Sequence, residues 1–284
     1  MSKKIKRSRR FSLGIVITTL LKYLLLVAAS FVVIAPLVVI LFGSLKAHNE
    51  FSSSNVFSLP TKFIFENYKT AFIQGNVLEG LRNTGIIIAV SCFGTITTGT
   101  MTAFVMQRFS SIFTRLIKTL FLLAMLLPNI SMQVTVFQIV SKLGLYNTMA
   151  APMILYIGTD IISIYIFMQF LSQISVSLDE SAIVDGASYP RIYFSIILPL
   201  LKPAIATVLI IKFVGIYNDF YTANLYMQND DVVSTALYRF IGPFGAQWEI
   251  IFAGIIICII PTLVVFLFLQ KYIYTGLVSG SVKE

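Results

Sequence analysis

Charge is scarce in this chain. Of 284 residues only 12% are Asp, Glu, Lys or Arg, while 57% are hydrophobic. A soluble domain carries about 25% charged residues. Histidine is reduced to one residue, His48, and cysteine to two, Cys92 and Cys258. A lone histidine in a polar loop excludes an H-E-x-x-H zinc site and leaves no Ser-His-Asp set to assemble. The two cysteines fall inside apolar stretches, so they give neither a disulfide framework nor a metal-ligand spacing. No G-x-x-x-x-G-K-[ST] loop occurs, so no phosphate-cradling motif is present.

The sequence is rich in apolar blocks of about twenty residues, the length that matches the hydrocarbon thickness of a bilayer. In lipid every backbone group must be satisfied within its own segment, so blocks this apolar are helices. The short alternating strands of a membrane barrel do not occur. Spans are predicted over 24–45, 83–106, 116–140, 149–170, 204–217 and 250–269. The fold class is an all-α polytopic membrane protein with six transmembrane helices.

The first ten residues carry six Lys or Arg. This basic tail, 1–10, precedes an apolar run as in a signal peptide, but the run is too long and lacks a small-x-small cleavage site. It reads as an uncleaved first span with its tail in the cytoplasm. The net charge of +9 invites a nucleic-acid reading. That reading fails because the basic residues follow membrane topology. With the N-terminus inside, the outer loops hold only Lys46, Lys62, Lys69, Arg82, Lys142 and Arg239, spread over long segments. Both termini and the segment 177–203 are then cytoplasmic.

Within the outer segment 46–82, the Ser-rich first half reads as loop and the second half as a short amphipathic helix at the membrane surface. The second span holds Gly94, Gly99 and several threonines. Small residues let helices approach closely, and a polar pathway is their other use. Pro128 breaks or kinks the third span. Asp160 and Lys212 are charges inside spans, which are costly and face a pathway or one another. Both fall near mid-depth on consecutive helices. They are expected to pair and to border the substrate path, with Tyr156, Thr159 and Ser163 as neighbouring hydrogen-bond groups. A purely structural pair is the alternative. Asn218 and Asp219, at the outer mouth, are further candidates for substrate or gate contacts, or else caps for the fifth span.

Segment 177–203 reads SLDESAIVDGASYPRIYFSIILPLLKP. Ser177-Leu178-Asp179-Glu180 has the form of a capping box, with Ser177 as cap and Glu180 bonding back to its amide. Gly186 allows a turn or a close backbone approach. Ser188 and Pro190 open a second helix, and Pro199 and Pro203 bend the chain into the fifth span. A hinged hairpin of this shape suits a partner's groove; an interfacial linker is the plainer reading.

Glu180, Ser181, Ala182, Gly186, Ile196, Leu198 and Pro199 fit the spacing E-A-A-x3-G-x9-I-x-L-P, with serine for the middle alanine. In this the chain resembles the permease subunits of ABC importers. The run 143–148, LGLYNT, the run 217–220, YNDF, and the Gly-Leu…Gly-Ser-Val-Lys tail resemble the maltose and multiple-sugar type. Tyr217 stands where that family usually has Trp. The resemblance implies a type I permease architecture, one domain over 1–284 and a coupling hairpin over 177–203. Glu180, Ser181, Ala182, Asp185, Gly186, Ile196, Leu198 and Pro199 would meet an ATPase. It implies a bacterial cell-membrane location, and as partners a second permease, two copies of a cytoplasmic ABC ATPase, an extracytoplasmic sugar-binding protein and membrane lipid. ATP and Mg²⁺ belong to the ATPase subunits; this chain is not itself an enzyme and binds no cofactor or metal. The loop 218–249 would reach the binding protein and the tail 276–284 the ATPases. A secondary transporter using Asp160 as an ion relay predicts internal repeats, and none is found.

Overall fold

In the computed structural model, residues 13–158, 160–229, 232–242 and 245–281 are described. The predicted tail 1–10, Thr159 and residues 282–284 lie outside them.

The chain begins with α1 (Leu13–Ser44), whose side chains from Ile17 onward are mostly exposed along its length, as a lipid-facing helix requires. The connection to the next span holds α2 (His48–Ser53), where loop was expected, and α3 (Glu66–Gln74), the predicted surface helix. Lys46 organises it. Its buried Nζ donates to Ser54 Oγ at 2.9 Å, Asn55 O at 2.8 Å and Ser58 Oγ at 2.9 Å, which uses all three ammonium donors. Two of the serines that read as loop, Ser54 and Ser58, are among the acceptors that hold the turn.

α4 (Val77–Arg108) runs 32 residues without a break, about 48 Å at 1.5 Å per residue, and so overshoots the predicted span at both ends. α5 (Ile112–Met125) and α6 (Asn129–Lys142) follow, meeting at 109° across Pro128. Pro128 therefore separates two helices rather than kinking one. α7 (Ala150–Gly158) and α8 (Ile161–Leu171) meet at 41° around Asp160. The hairpin consists of α9 (Ser177–Val184), α10 (Tyr189–Ile192), a π-helical turn over Tyr193–Ile197 and α11 (Leu198–Leu200). A 69° bend then leads into α12 (Lys202–Asn218). Beyond it come α13 (Phe220–Tyr226), α14 (Val233–Ala236), a 3₁₀ turn over Leu237–Phe240 and a small antiparallel pair, β1 (Ile241–Gly242) with β2 (Gly245–Ala246). The long α15 (Trp248–Ser281) closes the chain and packs on α1. α1, α4 and α15 are each long and apolar enough to cross a bilayer unbroken, and each bent pair passes the same test as one span, which gives up to six.

α4 is the central helix, packed on α7, α8 and α12. Its glycines are where neighbours come closest. A Cβ at Gly94 would collide with Ile157 of α7, and one at Gly99 would meet the Phe167 ring of α8 at 3.0 Å. Thr97 and Thr98 turn their hydroxyls back onto Phe93 O and Gly94 O. The Gly- and Thr-rich stretch thus serves packing. At the hairpin end, Phe104, Phe167, Leu171, Ile192, Ile197 and Leu201 form a core joining α4 and α8 to the hairpin.

Candidate functional site

The first helix of the hairpin does not start as its sequence suggests. Ser177 is not the cap, and the capping box with Glu180 does not form. Val176 stands at the N-cap in a helical conformation with no side-chain bond. The Ser177 amide donates to Ser175 Oγ at 3.3 Å, and the two serine hydroxyls are 2.8 Å apart. A serine two residues upstream takes the amide first and draws Ser177 into the first turn. Glu180, no longer needed as a cap, is exposed.

The helix ends on Gly186 at φ +81°. The Gly186 amide donates to Ile183 O and the Ala187 amide to Ala182 O, both at 2.9 Å. This crossed pair is the Schellman arrangement, which needs a left-handed residue at this position. No other part of the chain lies within 4 Å of where a Cβ would sit, so Gly186 is here for the turn and not for close approach. Ser188 then caps in an extended conformation and Pro190 occupies the first turn of α10. Pro199 and Pro203 stand in the first turns of α11 and α12, either side of the bend.

The motif residues divide by face. Glu180, Ser181, Asp185, Gly186 and Pro199 are exposed, whereas Ala182 is buried and Ile196 and Leu198 lean on the core. Sequence reasoning passed over Asp179, which is buried with Ala182 on the inner face of α9. Its Oδ2 lies 2.6 Å from Arg108 Nε, with only 9% and 6% of the two side chains exposed. The contact is an ion pair by distance, not an aligned hydrogen bond. The i, i+3 spacing of Asp179 and Ala182 was the available signal.

A second cluster lies among α7, α8, α12 and α13. Lys212 Nζ is 2.9 Å from Asp160 Oδ2, and the two side chains are 13% and 12% exposed. Lys212 also donates to Tyr156 O at 2.5 Å. Asp160 sits at the break between α7 and α8, where backbone amides lose their partners. Its Oδ1 accepts the Ser163 amide at 3.2 Å and its Oδ2 the Ser163 hydroxyl at 2.5 Å. The carboxylate therefore caps α8 and neutralises Lys212 together. Asp219, just past the end of α12 in an extended conformation, accepts the Tyr156 hydroxyl on Oδ2 at 2.9 Å and the Thr222 amide on Oδ1 at 2.9 Å. Asp219 thus caps α13, the helix after it. Asn218 stays apart, exposed and donating to Val214 O of its own helix.

Tyr156, Asp160, Ser163, Lys212 and Asp219 are therefore brought together. Beside them opens a cleft of about 630 Å³ lined by Gln133, Tyr156, Asp219, Tyr221, Thr222 and Tyr226 with apolar neighbours. The Tyr226 hydroxyl donates to Gln133 Oε1 at 3.2 Å. Gln133, Tyr221 and Tyr226 escaped the sequence reading, although a glutamine inside an apolar span was a usable signal.

Residues 95–278 match the family described as the binding-protein-dependent transport system inner membrane component. Among curated relatives, the "Probable starch degradation products transport system permease protein AmyC" of Thermoanaerobacterium thermosulfurigenes is 31% identical over 93% of this chain and 97% of its own. The melibiose/raffinose/stachyose import permease protein MelC of Bacillus subtilis is 31% identical over 87% of this chain and 91% of its own. Among solved structures, a chain of a bacterial ABC transporter involved in import of the acidic polysaccharide alginate superposes with TM-score 0.82 at 19% identity, over 93% of this chain and 99% of that one. The family match covers the hairpin, the buried pairs and the cleft, and the chain belongs to the binding-protein-dependent transport system inner membrane components.

Proposed function

We propose that this chain forms half of the translocation pathway of an ABC importer for a carbohydrate, and that the hairpin 177–203 receives the push of a cytoplasmic ATPase. The observation that carries this is the hairpin itself. The spacing from Glu180 to Pro199 falls on a helix–turn–helix with Glu180, Ser181, Asp185 and Gly186 facing outward. Its apolar residues are rooted in the core beneath α4 and α8. The distribution of Lys and Arg supports an orientation with both termini and the hairpin in the cytoplasm. Chain 1–284 acts as one permease domain with a basic tail over 1–10. A second permease completes the pathway, two ATPase copies supply ATP and Mg²⁺ chemistry, and an extracytoplasmic binding protein delivers sugar near 218–249.

A carbohydrate is favoured by what the relatives carry by name, starch degradation products and melibiose, raffinose or stachyose. The local chemistry agrees. Asp160 and Lys212 neutralise one another, and the cleft beside them is lined by hydroxyl, amide and aromatic groups with the Asp219 carboxylate, an acceptor for hydroxyls, which suits a neutral polyol. Tyr156 and Asp219 border that path, with Ser163 buried behind them and Asn218 exposed beyond them at the end of α12. Closure of the ATPases draws the hairpins together and rocks the spans from inward- to outward-open.

The test is reconstitution in proteoliposomes with the partner subunits, offering radiolabelled maltotriose, raffinose and galactobiose in turn. One of these is taken up only with ATP, and Glu180→Lys removes that uptake while the protein still inserts. Uptake driven by an ion gradient without ATP overturns the proposal.

A further inference from the structure

Thr100, Phe104 and Arg108 recur at four-residue spacing and so share one face of α4 over its last turns. All three meet the hairpin. Thr100 Oγ1 and the Tyr193 hydroxyl are 2.7 Å apart and buried. The Phe104 and Tyr193 rings lie 5.6 Å apart between centroids. Arg108, at the end of the stripe, holds two points on the hairpin side. Its Nη2 donates to Ile174 O at 3.0 Å, and its Nε stands 2.6 Å from Asp179 Oδ2.

A buried ion pair is a poor source of net stability, because desolvation cancels most of the attraction; what it supplies is a fixed geometry, since breaking it strands a charge. This pair sits one residue from Glu180, on the opposite face of α9. A load applied at the exposed Glu180 face is met directly by Asp179 within. Tyr193 is the first residue of the π-helical turn, and π turns re-aim side chains at functional positions. The covalent route from the hairpin into the membrane is less direct. It passes a 69° bend at Leu201, where Pro203 withholds a backbone donor.

We infer that Arg108 and Asp179, with Thr100 and Tyr193 above them, are positioning residues that lock the hairpin to α4. A displacement of the hairpin then travels along α4 as one rigid body, to the contact of Gly94 with Ile157 beside Asp160. This rests on the reading of the hairpin as the ATPase-docking element. Neither Asp179 nor Arg108 belongs to the hairpin motif.

The test uses the full transporter complex with spin labels at Ser188→Cys, on the hairpin, and Leu78→Cys, in the first turn of α4. Both sites are exposed, and the native Cys92 and Cys258 are buried. Distances are measured without nucleotide and after trapping with Mg-ATP and vanadate. In the otherwise unchanged protein the distance stays the same in both states. In Asp179→Asn or Tyr193→Phe it shifts on trapping by more than the ~2 Å of ordinary helix sliding, or splits into two populations. A shift in the otherwise unchanged protein, or no shift in either variant, overturns the inference. If Asp179→Asn does not assemble, Tyr193→Phe, which removes only a hydroxyl, decides alone. Failure of the docking reading shows separately, as ATPase subunits that still copurify with Glu180→Lys.

Discussion

At the residue scale the informative features are charges placed where lipid forbids them. Asp160 and Lys212 satisfy each other, and each also holds backbone in place. Asp160 caps α8, and Lys212 bonds the last turn of α7 through Tyr156 O. Removing either leaves the other uncompensated, which for a buried pair costs about 3–5 kcal/mol. Asp160→Asn and Lys212→Met should each lower the yield of assembled, transport-competent protein severely. The double variant should recover yield, because no orphan charge remains. Detergent-stable yield by size-exclusion chromatography and uptake in vesicles check this. Two fully active single variants would show that the pair is dispensable. Recovery of yield without uptake would assign the pair to the path as well as to the fold.

At the element scale the hairpin depends on a backbone conformation. The Schellman turn after α9 places Gly186 at φ +81° in open surroundings. A side chain meets no steric wall there, so only the conformational cost of roughly 1–2 kcal/mol applies. Gly186→Val, β-branched, should displace the turn and cut copurification of the ATPase about five- to thirtyfold, with membrane insertion unchanged. Gly186→Asn, which tolerates the left-handed region, should retain most of it. Equal binding by both variants would remove the turn from the docking account. The turn was legible in the sequence because glycine leaves so few reasons for its presence. The start of α9 was not, because the capping-box pattern at Ser177 competes with Ser175, and both are good local acceptors; only the folded backbone decides which serine wins. Asp160 shows the same limit. Its charge marked a special position, but the helix break it caps was not read, although Gly158, the last residue of α7, was a usable signal. Pro128 did carry a signature, and the break proved more complete than a kink.

At the scale of the whole molecule the spans, up to six, were legible because bilayer thickness dictates their length; the interruptions at Pro128 and before α12 were legible from proline, whereas the one at Asp160 was not, because side-chain partners satisfy its freed backbone groups. The direction of the fold across the membrane is open to direct measurement. The hairpin and the C-terminal end of α4 lie together at one end, tied by Arg108 and Asp179. The segment of α2 and α3 is tied instead to the first turn of α15, through His48 Nδ1 and Glu249 Oε1 at 2.9 Å. The hairpin end carries Arg115 and Lys118 in the first two turns of α5, beside the paired Arg108, and the other end buries Lys46 in a cage of neutral acceptors. Basic residues crowd short segments on the hairpin side and are spread over long segments on the other, so the asymmetry argues for the hairpin end inside. Single cysteines at Ser188 and Ser53, both exposed, test this against a membrane-impermeant maleimide. Ser53→Cys should react in intact cells, and Ser188→Cys only after the membrane is opened. The reverse pattern would place the hairpin on the outside, where no ATPase could reach it.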